Sequence, residues 1–342
     1  MTGFGRRIRL LVRQTRNLAV TPLAIVASTV AFILRHPSNR GHRARALLRA
    51  ASGLVTFRLT GVPVTARLGR DSVILTRPHI LNFGTAVPLY GNPPDHHAAR
   101  LLQSVLRPGD LFVDVGANIG IYTILAAEVG ARVVAVEPAS DTADLLERNV
   151  RLNGLEERVR IERVAVGARS GTARFTQGND VLNRVLDDPT SPTTGDDEPA
   201  PPFLTLRAKG FETVPVRTLG ELVGDEFVAA VKIDVEGREL HVLEGAAALL
   251  RSHRVGYLQI ENNAMSMVHY RQPNDAVWST LRKYDYELFG FGRDGTLVAE
   301  GSTPTSPDVI AVAPNGVVWR RLAHGEERPG GDDPRDTDFP AC

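Results

Sequence analysis

The chain has 342 residues, 43% of them hydrophobic, which is enough for one large α/β domain with a proper core plus an accessory segment. Its formal net charge of +1 hides an asymmetry: ten arginines fall within the first 49 residues and no Asp or Glu precedes Asp71, so the remainder is acidic on balance. The single cysteine, Cys342, excludes an intramolecular disulfide, a cysteine zinc cluster and a core cysteine nucleophile, and it suits a reducing cytoplasm.

Residues 18–34 form an almost unbroken apolar run between Arg16 and Arg35. The run falls short of the ~20 residues that a spanning helix needs and contains Pro22, which favours a buried or surface-docked helix over a membrane span. With arginines on both sides, this segment is a candidate for peripheral contact with anionic headgroups; the expected location is cytoplasmic, with membrane association through residues 18–34 left open. Residues 40–51 read as a basic helix. Residues 54–75 read as short strands or hairpins, broken at Gly61-Val62-Pro63 and Gly69-Arg70-Asp71. Helical spacing returns over 95–106 and ends at the turn Arg107-Pro108-Gly109-Asp110, so residues 1–105 form a basic accessory region.

From Leu111 strand and helix patterns alternate: strands over 111–115, 133–136 and 159–166, helices over 121–129 and 141–152. That rhythm predicts a parallel, doubly wound sheet. A Pro-, Thr- and acid-rich stretch at about 187–202 has nothing apolar to bury and is expected to be a mobile insert. The pattern resumes with a strand over 227–234, a helix over 238–250, a strand over 255–261 and a helix over 275–284. Segments 286–291 and 309–312 then make a closing antiparallel hairpin. The core domain is expected over 106–314, with 315–342 as a disordered tail.

The run from Leu111 to Gly120 is a buried strand entering a glycine turn and a helix, which places ligand contacts at the carboxyl end of the sheet. Gly116 would let the backbone approach a ligand, Gly120 would let the helix pack on the strand, and Asp114 adds a carboxylate. A sulfonium with an α-amino group suits that acid, whereas a pyrophosphate prefers helix-end amides without a nearby anion. The next strand ends in Glu137, where an acid can accept hydrogen bonds from both ribose hydroxyls of an adenosine; the bland alternative is that it caps the following turn. A dinucleotide site needs G-x-G-x-x-G, and only Gly116 and Gly120 are present, so a nicotinamide oxidoreductase ranks second. A non-catalytic protein of the membrane surface ranks third.

Asp114 to Gly120 (DVGANIG), Val136-Glu137-Pro138, Asn149 with Asn153, Lys232 to Gly237 (KIDVEG) and Leu243-Glu244-Gly245-Ala246 occur together and in this order. In these motifs the chain resembles the FkbM family of methyltransferases over roughly 106–312. The resemblance implies a class I methyltransferase fold, S-adenosylmethionine held by Asp114, Gly116, Asn118, Gly120 and Glu137, and an O-methylated small-molecule or glycan acceptor. One departure is that the strand ending at Val166 lacks an acid for the adenine amino group, leaving adenine to backbone or to the following loop.

Lys232, Asp234 and Glu236 alternate along a strand end and project from one side, with Asp234 nearest the expected cleft. Asp234 is the favoured catalytic base, the alternative being that it binds the donor's amino-acid part or caps the following helix; Lys232 is its expected ion-pair partner. Glu261 and Asn262 should lie beside Asp234, and this oxygen-rich trio could hold Mg²⁺, although no diagnostic ligand spacing favours a metal. Asn179, Asp180, Asn183 and His269 are loop groups that could face the acceptor. Asn92-Pro93-Pro94-Asp95 has an acid where a base-gripping loop needs an aromatic ring, and stacking aromatics are sparse, so nucleic acid is not an expected partner.

Overall fold

The computed structural model describes residues 22–78, 88–91, 95–177, 185–187, 210–262, 275–292, 295–301, 304–306 and 308–324. Residues 18–21, Asn92-Pro93-Pro94, Asn179, Asp180, Asn183, His269, nearly all of the 187–202 insert and the tail beyond 324 lie outside the described residues.

The accessory region consists of α1 (Pro22–Arg35), α2 (Arg43–Thr60), the hairpin β1 (Val64–Leu68) and β2 (Ser72–Thr76), and α3 (His96–Val105). Helix α2 continues through residues 54–60, where strand was expected. Its β-branched residues sit on a helix that only Gly61 stops, in left-handed conformation (φ 68°) with its amide bonded to Phe57 O. None of the described helices is long and apolar enough to cross a membrane.

The core alternates β3 (Leu111–Val115), α4 (Ile121–Glu128), β4 (Arg132–Val136), α5 (Ser140–Leu152) and β5 (Val159–Glu162). A second small sheet follows, built from β6 (Ala165–Val166), β7 (Gly171–Gln177), β8 (Val185–Asp187) and β9 (Gly210–Arg217). The expected single strand over 159–166 is thus divided: β5 stays in the main sheet, while β6 leaves it to pair with β9. The chain then forms α6 (Leu219–Val223), β10 (Ala230–Ile233), α7 (Glu239–Gly245), α8 (Ala247–Arg251), β11 (Tyr257–Glu261), α9 (Ala276–Lys283), β12 (Glu287–Phe291), β13 (Leu297–Ala299), β14 (Asp308–Val312) and α10 (Val317–His324). The helix expected over 238–250 breaks at Gly245, whose Cα lies against the Gly167 carbonyl where any Cβ would collide. The tail expected from 315 instead begins with α10, which buries Val318 and sends Arg321 to Val105 O and the Asp110 carboxylate.

The main sheet runs β13-β12-β14-β11-β10-β3-β4-β5. Strands β5, β4, β3, β10 and β11 are parallel, and β14, β12 and β13 add antiparallel. This is the class I methyltransferase-like doubly wound arrangement, with the strand order reversing between β3 and β10. A crevice opens at the carboxyl ends of the strands at such a point. Phe112, Ala230, Tyr257 and Ile310 pack on one face with α3, α4, α5 and the accessory helices. Val113, Val231, Ile233, Leu258 and Ile260 pack on the other with α6 to α9.

Two asparagines fasten the accessory hairpin to this core. Asn149 and Asn153, one turn apart on α5, behave as a strand edge toward β2. Leu75 N donates to Asn149 Oδ1 (2.6 Å) and Val73 N to Asn153 Oδ1 (2.9 Å), while the two side-chain amides donate back to Leu75 O (3.1 Å) and Val73 O (2.7 Å). Asn149 Nδ2 also reaches Ile119 O in the glycine loop (2.8 Å). Asn149→Ala leaves buried backbone groups unpaired and should cost ~2–4 kcal/mol, read as a lower midpoint in denaturant. An unchanged midpoint would mean that the clamp carries no stability.

Candidate functional site

Three left-handed residues close the loop after β3: Gly116 (φ 82°), Asn118 (φ 50°) and Gly120 (φ 95°). Glycine is required at 116 because a Cβ there would overlap the Asp234 carbonyl oxygen. The backbone that approaches Gly116 is therefore the chain's own, from the end of β10. Gly120 faces Leu146 of α5, so its small size brings α4 and α5 together. Asn118 tolerates its conformation by accepting a bond from Ile119 N on Oδ1 (2.7 Å).

Glu137 ends β4 and spans two loops. Its Oε2 accepts from Asn118 N (2.9 Å) and its Oε1 from Ala139 N (2.9 Å). Glu137 therefore caps both turns with its two carboxylate oxygens while lining the cleft between them. The cleft is walled on one side by Gly116, Asn118, Glu137 and Pro138, and on the other by Asp234, Glu236 and Arg238. Its far end is apolar: Val164, Ala165 and Val166, with Phe175 and Val185 from the small sheet. Phe175 and Val185 had no signal in the sequence, since only the pairing of β7, β8 and β9 brings them to the end of β4.

Asp114 and Lys232 do not line the cleft. Asp114 is 1% exposed on β3 and accepts a hydrogen bond from Thr123 Oγ1 (2.7 Å), so it supports the loop from behind. Burial raises its carboxyl, opposed by the charge of Lys232 and the Thr123 bond. Strand register sets Asp114, Lys232 and Gln259 side by side across β3, β10 and β11. Lys232 Nζ donates to Asp234 Oδ2 (2.7 Å) and stands 4.8 Å from the Tyr122 ring centroid.

Burial by itself would raise the Asp234 carboxyl, but the Lys232 charge and hydrogen bond, with a hydrogen bond from Glu261, hold it below the ordinary range. Burial would likewise lower Lys232, and Asp234, Asp114 and Asp95 together raise it. Glu236, in left-handed conformation (φ 54°), is pushed up to about 8 by burial and then by Asp234 and Glu239. Asp308, opposite Glu261 in the sheet, is raised to about 6, chiefly by burial.

Asp234, Glu236 and Glu261 each bring a carboxylate oxygen within 4.8 Å of the others. Asn262, expected as the third oxygen of a metal trio, instead donates Nδ2 to Pro304 O (3.2 Å) and Ser306 O (2.9 Å); Glu236 stands in its place. A divalent cation there would compete with Lys232 for Asp234.

Asp95 completes this region. It is exposed, near enough to Lys232 and Asp234 to feel their charges, and its Oδ2 accepts from Tyr122 OH (3.3 Å), whose oxygen accepts in turn from Gln259 Nε2 (2.9 Å). In the sequence Asp95 opens the helical spacing of 95–106 and ends Asn92-Pro93-Pro94-Asp95, with no sign of this contact.

Residues 114–288, just over half of the chain, match the family described as Methyltransferase FkbM domain. The Ribosomal protein L11 methyltransferase of Chloroflexus aurantiacus is 25% identical over 207 residues, covering 59% of each chain. The 31-O-demethyl-FK506 methyltransferase FkbM of Streptomyces tacrolimicus is 33% identical over 162 residues, 41% of this chain and 60% of its own. The hexuronic acid methyltransferase AglP of Haloferax volcanii is 30% identical over 177 residues, 48% of this chain and 61% of its own. The chain therefore spans about three fifths of the length of these relatives.

Proposed function

The chain belongs to the FkbM-domain methyltransferase family, and from that premise we propose that it moves the methyl group of S-adenosylmethionine to a hydroxyl of a sugar, glycolipid or secondary metabolite. The observation that carries the reading is the cleft between Gly116, Asn118 and Glu137 on one side and Asp234 on the other. Glu137 lines the cleft at the position where a ribose diol would bind, and the apolar end formed by Val164, Val166, Phe175 and Val185 suits adenine without an acid to read its amino group. When bound, the donor supplies an electrophilic methyl group on a sulfonium. The ionised Asp234 carboxylate, held in place by Lys232, favours that positive charge and the donor's amino group.

Calorimetry on the intact protein should show micromolar binding of S-adenosylmethionine. Glu137→Ala, which frees two loop amides as well as removing the diol partner, should weaken it by about 100-fold, equivalent to ~2.7 kcal/mol. Wild-type protein that binds no donor overturns the reading. The similarity to the hexuronic acid methyltransferase AglP and the 31-O-demethyl-FK506 methyltransferase FkbM supports a glycan or natural-product hydroxyl as the acceptor.

A second reading, peripheral attachment to anionic lipid, rests on a separate observation. Leu48, Val55, Leu59 and Val62 are 70%, 56%, 79% and 60% exposed and recur at helical spacing along and just beyond α2, flanked by Arg43, Arg45 and Arg58 in a region without acids. An apolar stripe bordered by arginines suits a headgroup surface. Vesicles containing phosphatidylglycerol should sediment the wild type about tenfold better than a Leu48→Glu/Leu59→Glu variant, and pure phosphatidylcholine should sediment neither. Equal sedimentation of the two proteins removes the lipid role.

A further inference from the structure

We propose that Asp95 is the catalytic base that takes the proton from the acceptor hydroxyl, with Tyr122 as its positioning residue. The proposal rests on the methyltransferase reading above and adds a residue that no motif contains.

The first observation is a forgone helix cap. Asp95 occupies the N-cap of α3, where an aspartate ordinarily accepts a bond from the first turn, yet its side chain makes no cap bond. It turns instead to Tyr122 OH, giving up stabilisation that the position offers. The second is the support behind that contact. Tyr122 and Gln259 are 6% and 1% exposed, and Gln259 Nε2 donates to the tyrosine oxygen, which leaves the hydroxyl hydrogen directed at Asp95 Oδ2. This polar chain adjoins Lys232 and Asp114 in the strand register, and it holds the carboxylate in place while leaving it exposed. Among the described residues no group bonds Asp95 Oδ1, so one oxygen remains for an acceptor.

The third observation is the division of labour with Asp234. Both carboxylates lie close enough to influence each other and Lys232. Asp234 is committed to Lys232 and is held ionised, which makes it a partner for positive charge and a weak base. Around Asp95 the facing groups are Tyr122 on α4, Lys232 and Asp234 at the end of β10, Asp308 on β14 and His36 after α1. Crowding raises its carboxyl, while Lys232, the Tyr122 bond and His36 act against the rise. A carboxylate whose proton affinity is raised is the better base of the two.

The step balances as follows. The acceptor O–H proton passes to Asp95, and the oxygen forms a bond to the methyl carbon as the carbon–sulfur bond breaks. The electron pair of that bond stays on sulfur, giving neutral S-adenosylhomocysteine, and Asp95 releases its proton to water.

The test uses the full chain, tritiated S-adenosylmethionine and a panel of methyl hexopyranosides, methyl hexuronates and hydroxylated macrolactones, with donor affinity measured by calorimetry in parallel. Asp95→Asn should lower kcat by 100-fold or more at unchanged donor Kd. Tyr122→Phe should retain measurable turnover but move the acid limb of its pH–rate profile upward, because the lost hydrogen bond stabilised the ionised form of Asp95. An Asp95→Asn variant with wild-type turnover overturns the proposal and leaves the methyltransferase reading intact, as does loss confined to Asp308→Asn. Wild-type protein that neither binds donor nor methylates any member of the panel overturns both.

Discussion

Gly116→Ala should abolish donor binding and destabilise the protein. The Cα of Gly116 faces the Asp234 carbonyl oxygen with no room for a methyl group, and its φ of 82° disfavours any L side chain. Neither partner can yield: Gly116 N and Ala117 N are both bonded to Val136 O, and Asp234 N is bonded to Val115 O. Relief therefore requires prising β3 from β10 at the point where the cleft opens. A backbone collision combined with positive φ belongs to the severe class of substitution, about 3–5 kcal/mol. Calorimetry should detect no S-adenosylmethionine binding, and the denaturant midpoint should fall. A variant that melts with the wild type and binds donor would mean that the approach of the two loops is looser than described.

Lys232→Met should be the most damaging change that leaves the backbone untouched. Lys232 is 8% exposed and is the charge that offsets Asp114 and Asp234. Removing it strands two carboxylates, one of them 1% exposed, and breaking a buried ion pair from one side costs about 3–5 kcal/mol. The pH dependence gives a sharper reading than the loss itself. In the wild type Asp234 titrates below its unfolded value, so its contribution is present above the ordinary carboxylate range and is lost as pH falls through the folded pKa. Without Lys232, both acids should titrate above their unfolded values, so their penalty is largest near neutrality and is relieved as pH falls through those raised values. Between pH 5 and 8 the Asp234 contribution is constant, while Glu236 (raised to about 8), Glu239 (raised to about 7) and Asp308 (raised to about 6) make the wild-type denaturant midpoint rise on acidification; in the variant, where Asp234 joins the raised acids, it should rise more steeply. Parallel curves would show that Lys232 is not the counter-charge.

The glycine loop and the end of β10 were legible because their geometry is local. DVGANIG carries its own left-handed positions, and KIDVEG places Lys232 and Asp234 two residues apart on one side of a strand. What could not be read was which of these residues face the cleft. Asp114 looks like a ligand group in a one-dimensional pattern, but strand alternation turns it toward Thr123 and α4. Asp95 looks like turn punctuation, and only the packing of α3 on α4 brings it to Tyr122, 27 residues away. Asn149 and Asn153 were visible as a spaced pair without a purpose, because their partners at Val73 and Leu75 are strand backbone, which has no side-chain signature.

The sequence by itself determined the alternation of strands and helices from Leu111 onward, the family, and the positions of the loop glycines after β3 and of Glu137. Each depends on short-range periodicity or on backbone conformations that few residue types adopt. Tertiary structure alone decided that β6, β7, β8 and β9 form a sheet of their own and bring Phe175 and Val185 to the apolar end of the cleft. It also decided that Asp114 supports the loop from behind, and that Asp95, Tyr122 and Gln259 form one hydrogen-bonded chain beside Asp234. Those outcomes depend on contacts between residues far apart in the chain, where strand register and helix packing select the partner and local propensity has no influence.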